Sequence, residues 1–159
     1  MAKLDYPRLI LSIAICQLAG VFGSFFTISA IPGWYATLNK PWFTPPGWLF
    51  GPVWISLYTL MGIALYLVWT KGFREEKGRI ALGIFAVQLG LNAAWSFLFF
   101  GMQSPLLGLV NIIALWVFIA LNIWAFYRVD RRAAYLLVPY IVWVTIAASL
   151  NYYVWILNL

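Results

Sequence analysis

The chain has 159 residues, of which 65% are hydrophobic and 9% charged, and its mean hydropathy is +0.92. A soluble domain of this length needs far more polar surface, so the composition excludes one and makes the bilayer the solvent for most of the chain. The net charge is +6, with no histidine and a single cysteine, Cys16, which excludes imidazole metal ligation, histidine catalysis and an intrachain disulfide.

The ten basic and four acidic residues are clumped. None lies between Arg8 and Lys40, between Lys40 and Lys71, between Arg79 and Arg128, or beyond Arg132. Crossing roughly 30 Å of hydrocarbon takes about 20 helical residues. The gaps therefore predict five membrane-spanning helices near 9–31, 51–70, 80–101, 106–127 and 135–157, an all-α integral membrane bundle forming one domain over 1–159. The first apolar run is longer than the core of a signal peptide, so it reads as a retained helix. Pro105 and the polar pair Gln103–Ser104 suit a tight turn, and they divide the longest gap in two.

With five spans, Lys3, Arg8, Lys71, Arg74, Lys77, Arg79, Arg128, Arg131 and Arg132 fall on the side of the N-terminus, and Lys40 alone falls on the other. That asymmetry predicts a cytoplasmic N-terminus. The basic excess is then an orientation signal that meets anionic headgroups, and nucleic acid is not expected as a partner. Because no presequence precedes the first span, a prokaryotic plasma membrane is expected rather than an organellar one.

Between the first two spans, the segment Pro32–Pro52 holds five of the eight prolines together with Trp34, Tyr35, Trp42 and Trp48. It is too broken by proline for a helix and too aromatic for a loose linker. It reads as a lid over residues 32–50, or as an aromatic belt at headgroup level, and the two are compatible.

In the second span Phe50, Trp54, Tyr58 and Met61 follow at helical steps. In the third, Gly83, Ala86, Gly90, Ala93 and Ala94 share one face, while Gln88, Asn92, Trp95 and Phe99 share the opposite one. The Ala86-x-x-x-Gly90-x-x-x-Ala94 pattern permits close helix approach, either in a homodimer through the third helix or within one chain. The fourth span aligns Asn111, Leu115, Phe118 and Asn122, and the fifth aligns Tyr140, Trp143, Ala147, Leu150 and Asn151. Amides are unfavourable against lipid, so these stripes turn inward. Any one of them fits an ordinary core with amides bonding between helices. Taken with the lid, they point to an aromatic pocket for a large, flat, mostly apolar ligand. No carboxylate, Lys or Arg falls within a span, which leaves no proton relay, ion-coupling site or charged selectivity ring. No cofactor is implied.

Specific strings carry a resemblance. Trp34-Tyr35, Leu38-Asn39-Lys40-Pro41-Trp42, Pro45-Pro46, Phe50-Gly51-Pro52-Val53-Trp54, Leu57-Tyr58 and Met61-Gly62 resemble the first loop and second helix of the translocator protein family, also called tryptophan-rich sensory protein (TspO) or peripheral benzodiazepine receptor. Gln88-Leu89, Leu91-Asn92, Trp95 and Phe99-Phe100-Gly101 resemble its third helix, and Leu137, Pro139-Tyr140, Trp143, Ala147 and Leu150-Asn151-Tyr152 its fifth. The resemblance implies a five-helix bundle, often dimeric, with a pocket beneath the first loop. It implies binding of tetrapyrroles such as protoporphyrin IX, of isoquinoline and benzodiazepine-type drugs and, in some members, of sterols. The matching pocket positions are Tyr35, Phe50, Trp54, Asn92, Trp95, Trp143, Ala147 and Leu150.

Some bacterial members degrade porphyrin photo-oxidatively, and the tryptophans implicated match Trp54 and Trp143, the candidate catalytic residues here. The family's sterol motif needs a basic residue within five positions of the last helix's tyrosine. Val154, Trp155, Ile156, Leu157 and Asn158 follow Tyr152-Tyr153, which argues against sterol binding. A porphyrin binder acting in sensing, transport or stress regulation is the expected function, with the porphyrin-degrading enzyme as the alternative. A third reading is a structural or regulatory subunit whose basic loops contact partners. Without histidine, any porphyrin is held by stacking and by contacts to its propionates, for which Lys40 is the candidate.

Overall fold

The computed structural model describes residues 4–159; Lys3, counted above among the basic residues, lies outside them. The elements are α1 (Tyr6–Ala30), a single turn α2 (Trp34–Thr37), α3 (Gly47–Gly72), α4 (Glu76–Ser96), α5 (Pro105–Tyr127), α6 (Arg131–Leu136) and α7 (Val138–Leu157). A π-helical turn, Phe97–Gly101, extends α4. Among the described residues, five helical stretches are long and apolar enough to cross a membrane: Tyr6–Ala30, Gly47–Gly72, Glu76–Gly101, Pro105–Tyr127 and Arg131–Leu157. The protein is a five-helix membrane bundle. Ile10, Leu18, Phe25 and Ile28 on α1, and Val110, Ile113 and Val117 on α5, are exposed apolar side chains suited to lipid.

Local chemistry sets the helix ends. Asp5 caps α1 by accepting from the Arg8 amide at 3.2 Å, with Pro7 in the first turn. At α5, Ser104 accepts from the Leu107 amide at 3.3 Å and Pro105 opens the helix, as the turn signal there predicts. The second span starts earlier than expected, at Gly47 after Pro46, so Pro52 lies inside α3. Its missing amide falls within the first two turns, where the cost is one hydrogen bond near the helix end. The last span also starts earlier, at Arg131, and is broken at Leu137. Pro139 has no N–H to bond back to Tyr135, so the helix cannot run through unbroken.

On the side of the N-terminus, Asp130 is buried. It receives Lys71 Nζ at 2.7 Å, Arg132 Nη2 at 3.1 Å and the Arg132 amide at 2.9 Å. Burial pushes this carboxyl up, but the hydrogen bonds from Arg132 and Lys71 more than offset it and hold it at about 2. Also at this end, Arg128 lies 4.0 Å over the Trp124 ring, and Arg8 5.8 Å over Trp69.

α1 packs on α3 and α4, α4 on α5, and α5 on α7. The α1–α3 contact depends on Gly62: a Cβ there would lie 2.5 Å from Ile13 Cα. The backbones of α3 and α7, by contrast, scarcely approach each other. Rings bridge them instead, Phe50 against Trp143 with centroids 5.8 Å apart and Trp54 against Tyr140 at 6.3 Å. A gap between two helices propped apart by aromatic side chains is where a cavity forms.

Candidate binding cavity

The cavity has a volume of about 700 Å³, within the usual range for small-molecule sites. Tyr35 from α2, Phe50 and Trp54 from α3, Asn92 and Trp95 from α4, and Trp143, Ala147 and Leu150 from α7 all line it. These eight positions, spread over most of the chain, are brought to one space.

Its floor is polar and hydrogen-bonded across three helices. Tyr58 donates its hydroxyl to Asn92 Oδ1 at 2.5 Å, and Asn92 Nδ2 donates to the Tyr140 hydroxyl at 2.8 Å. One amide thus ties α3, α4 and α7 together beneath the cavity. Higher on the wall, Trp95 Nε1 donates to Asn151 Oδ1 at 3.0 Å, and Asn151 Nδ2 donates to the Pro105 carbonyl at 2.7 Å. Two tryptophans therefore differ: the Trp95 indole N–H is engaged, while Trp143 Nε1 is buried with no partner among the described residues.

The walls are aromatic. Trp54 stacks on Tyr58 at 5.5 Å and Trp95 on Phe99 at 5.1 Å. The π-helical turn, closed by the Met102 amide donating to the Phe97 carbonyl at 2.8 Å, puts Phe99 and Phe100 side by side with centroids 4.8 Å apart, and both line the cavity. A regular α-helix would separate adjacent residues by about 100°. Helical spacing therefore found Phe99 and missed Phe100.

The segment between α1 and α3 divides in two. Trp34 and Tyr35 pack inward, at 5.6 Å on Phe99 and 5.5 Å on Phe100 respectively. Trp42 and Trp48 stand 95% and 74% exposed, as belt residues at the bundle's end. Tyr35, Lys40, Thr44 and Pro45 line the cavity at the end where this segment lies. Lys40 is the charged side chain on the lining; its ammonium lies 4.8 Å from the Tyr35 ring centre and donates to the Leu38 carbonyl at 3.0 Å.

Several inward stripes do not reach the cavity. Gln88 and Met61 are fully buried below it, and Asn111, Leu115 and Asn122 are buried in the core with Phe118 half-buried beside them. The α5 stripe is helix-to-helix packing: Asn111 Nδ2 donates to the Leu91 carbonyl of α4 at 2.9 Å. Conversely, α1 supplies a wall that spacing arguments did not assign. Gln17, Gly20, Gly23, Ser24 and Thr27 line the cavity, and their recurrence every three or four residues is the sequence signal for it. Gln17 Nε2 also donates to the Ile55 carbonyl and to Thr59 Oγ1, each at 3.0 Å, sealing the α1–α3 seam. The small-residue face of α4 is turned outward: Gly83, Ala86 and Gly90 are exposed, and nothing lies within 4 Å of a Cβ built on Gly83 or Gly90. Packing of that face against a helix of the same chain is thereby excluded at these positions.

Fold and site together define a five-span membrane protein with an aromatic-lined cavity between its helices. The model of the TspO/MBR family matches residues 12–156. A tryptophan-rich protein TspO from Archaeoglobus fulgidus is 47% identical over 151 residues, covering 95% of this chain and 97% of that protein. The tryptophan-rich sensory protein of Cereibacter sphaeroides is 36% identical over 94% of this chain and 90% of its own length. The human translocator protein is 43% identical over 77% of this chain and 73% of its own length. The chain belongs to the TspO/MBR family.

Proposed function

We propose that the protein binds flat tetrapyrroles of the protoporphyrin IX type, and related hydrophobic drugs, in the cavity between α3, α4 and α7, and that it acts in porphyrin sensing, transport or stress regulation. The observation that carries this reading is the lining itself: indole and phenyl faces on three sides and a single ammonium, Lys40, at the rim. Ring faces stack on an extended π-system, and Lys40 suits a propionate carboxylate. The sensing and translocating roles named for the relatives agree with it. Within the segment 32–50, residues 32–46 act as the lid and residues 47–50 belong to the first turn of α3. With no histidine in the chain, iron ligation by imidazole plays no part.

Quenching of tryptophan fluorescence by protoporphyrin IX in detergent tests the proposal. Saturable quenching that weakens in Trp54→Ala and Trp143→Ala supports it, and unsaturable quenching, or equal quenching in all three proteins, refutes it. The enzymatic alternative, light- and oxygen-dependent porphyrin degradation, is favoured by one observation: Trp54 and Trp143 both line the cavity. Faster loss of the porphyrin Soret band under illumination than in a free-tryptophan control supports that alternative.

The outward small face of α4 supports a homodimer through Ala86, Gly90 and Ala94. Gly90→Leu is expected to shift the protein toward monomer in crosslinking. The basic clusters on the side of the N-terminus support a cytoplasmic N-terminus.

A further inference from the structure

The segment between α1 and α3 is hydrogen-bonded to the end of α7 through Asn39. Asn158, directly after α7, accepts from the Asn39 backbone amide at Oδ1 (2.9 Å) and donates from Nδ2 to the Asn39 carbonyl at 2.9 Å. Its side-chain amide thus pairs with both main-chain polar groups of one lid residue, as a neighbouring peptide group would. The same Nδ2 donates to the Val154 carbonyl at 2.7 Å, which fixes the side chain against the end of its own helix. A weaker third bond runs from Asn39 Nδ2 to the Leu157 carbonyl at 3.3 Å.

Among the described residues, the other hydrogen bond from segment 38–46 to a transmembrane helix is at its far end, where the Pro46 carbonyl accepts from the Leu49 amide of α3 at 3.0 Å; those of Lys40 and Thr44 stay within the segment. Its other attachments are packing contacts: Leu38 lies on the cluster of Ala30, Phe99, Phe100 and Val154, Pro41 is buried, and Phe43 meets Tyr153 edge-on with centroids 5.4 Å apart. The first part of the lid is different, since Trp34 and Tyr35 are seated on Phe99 and Phe100. Residues 38–46, which carry no helix or strand between the turn α2 and α3, are the flap of this lid. Asn39 is followed directly by Lys40, so whatever holds Asn39 also sets the rim ammonium over the cavity.

We propose that Asn158 is a lid-positioning residue, whose side-chain amide latches the flap at Asn39 and so governs the rate at which ligand enters and leaves past Lys40. The gating half of this proposal rests on the ligand reading above; the latch itself does not. Because the pairing uses the main chain of residue 39, the two asparagines are not equivalent. Removing the Asn158 amide abolishes the latch, whereas removing the Asn39 side chain costs only its longest bond.

The experiment is hydrogen exchange of the flap amides in lipid nanodiscs without ligand, alongside stopped-flow release of protoporphyrin IX, with exchange in α5 as the fold reference. In Asn158→Ala, flap exchange and porphyrin release are each expected to rise about tenfold, the factor that one to two lost hydrogen bonds produce, with α5 unchanged. Asn39→Ala is expected to stay within about twofold of the parent, since a single long, exposed bond is lost. Asn158→Asp keeps the acceptor and loses both donated bonds; it falls between, and it serves if the alanine protein does not fold. Equal flap exchange in the parent and Asn158→Ala overturns the latch. Faster flap exchange with unchanged release overturns the gating, and ligand then leaves by another route. Faster flap exchange with no porphyrin binding in any protein refutes the ligand reading and sustains the latch.

Discussion

The carboxamide of Asn92 is clamped between two tyrosine hydroxyls: it accepts from Tyr58 at 2.5 Å and donates to Tyr140 at 2.8 Å, so one side chain fixes three helices below the cavity. All three residues are buried, so a partner removed here is not replaced by water. Asn92→Leu is expected to lower stability by about 1–2 kcal/mol, since interhelical hydrogen bonds in membranes reach roughly that size and two hydroxyls lose a partner. Thermal unfolding in detergent measures it. Porphyrin affinity is expected to fall as well, because Trp54 stacks directly on Tyr58.

The indoles of Trp143 on α7 and Trp95 on α4 predict a difference in substitution. Trp143→Phe keeps a ring against Phe50 and loses an N–H that is buried and unpartnered, so porphyrin binding is expected to stay within about threefold of the parent. Trp143→Ala removes the ring as well, and a loss of about tenfold to a hundredfold is expected from the lost apolar contact. Trp95→Phe frees Asn151 from its indole partner and is expected to cost stability more than affinity. Titrations and melting curves on the same three proteins separate these effects.

Gly62→Ala tests the close approach of α1 and α3. Alanine is the better helix former by about 0.5–1 kcal/mol, yet its Cβ would press on the main chain of Ile13, which cannot rotate away. Overpacking is expected to win and to destabilise the bundle by about 1–3 kcal/mol, read from unfolding in a graded detergent mixture.

Asp130 predicts a pH dependence. Its folded carboxyl sits at about 2, below its ordinary value of 3.8, so its contribution is fully present above about pH 4 and is lost as the pH falls toward 2. Lys71 and Arg132 are half-exposed or more, and screening reduces the contribution to about 1–2 kcal/mol. Asp130→Asn is expected to lose that amount at neutral pH and to show a correspondingly smaller drop in melting temperature on acidification.

Much of the site was legible because amides and aromatic rings are scarce on a lipid-facing surface, so a stripe of them names the inward face. Gln88, Asn92, Trp95 and Trp143 were all placed inward on that ground. The same rule does not say how far inward. Gln88 and Asn122 are packed into the core while Asn92, one turn above Gln88, reaches the cavity, and only the separation of α3 from α7 makes that distinction. Residues that create space leave a fainter mark. Gly20 admits the Tyr58 ring into contact with α1, and nothing in its own chemistry announces the partner.

The sequence by itself determined the five spans, the Pro105 turn and the crowding of basic charge to one side, because hydrophobic length, proline and charge depletion act locally and the bilayer reads them locally. The tertiary structure decided the rest. It set the cavity between helices propped apart by Phe50 and Trp143, the pairing of Phe99 with Phe100 through an irregular turn, and the hold of Asn158 on a loop 119 residues away. Each depends on the distance between segments remote in the chain, and that distance is set by packing.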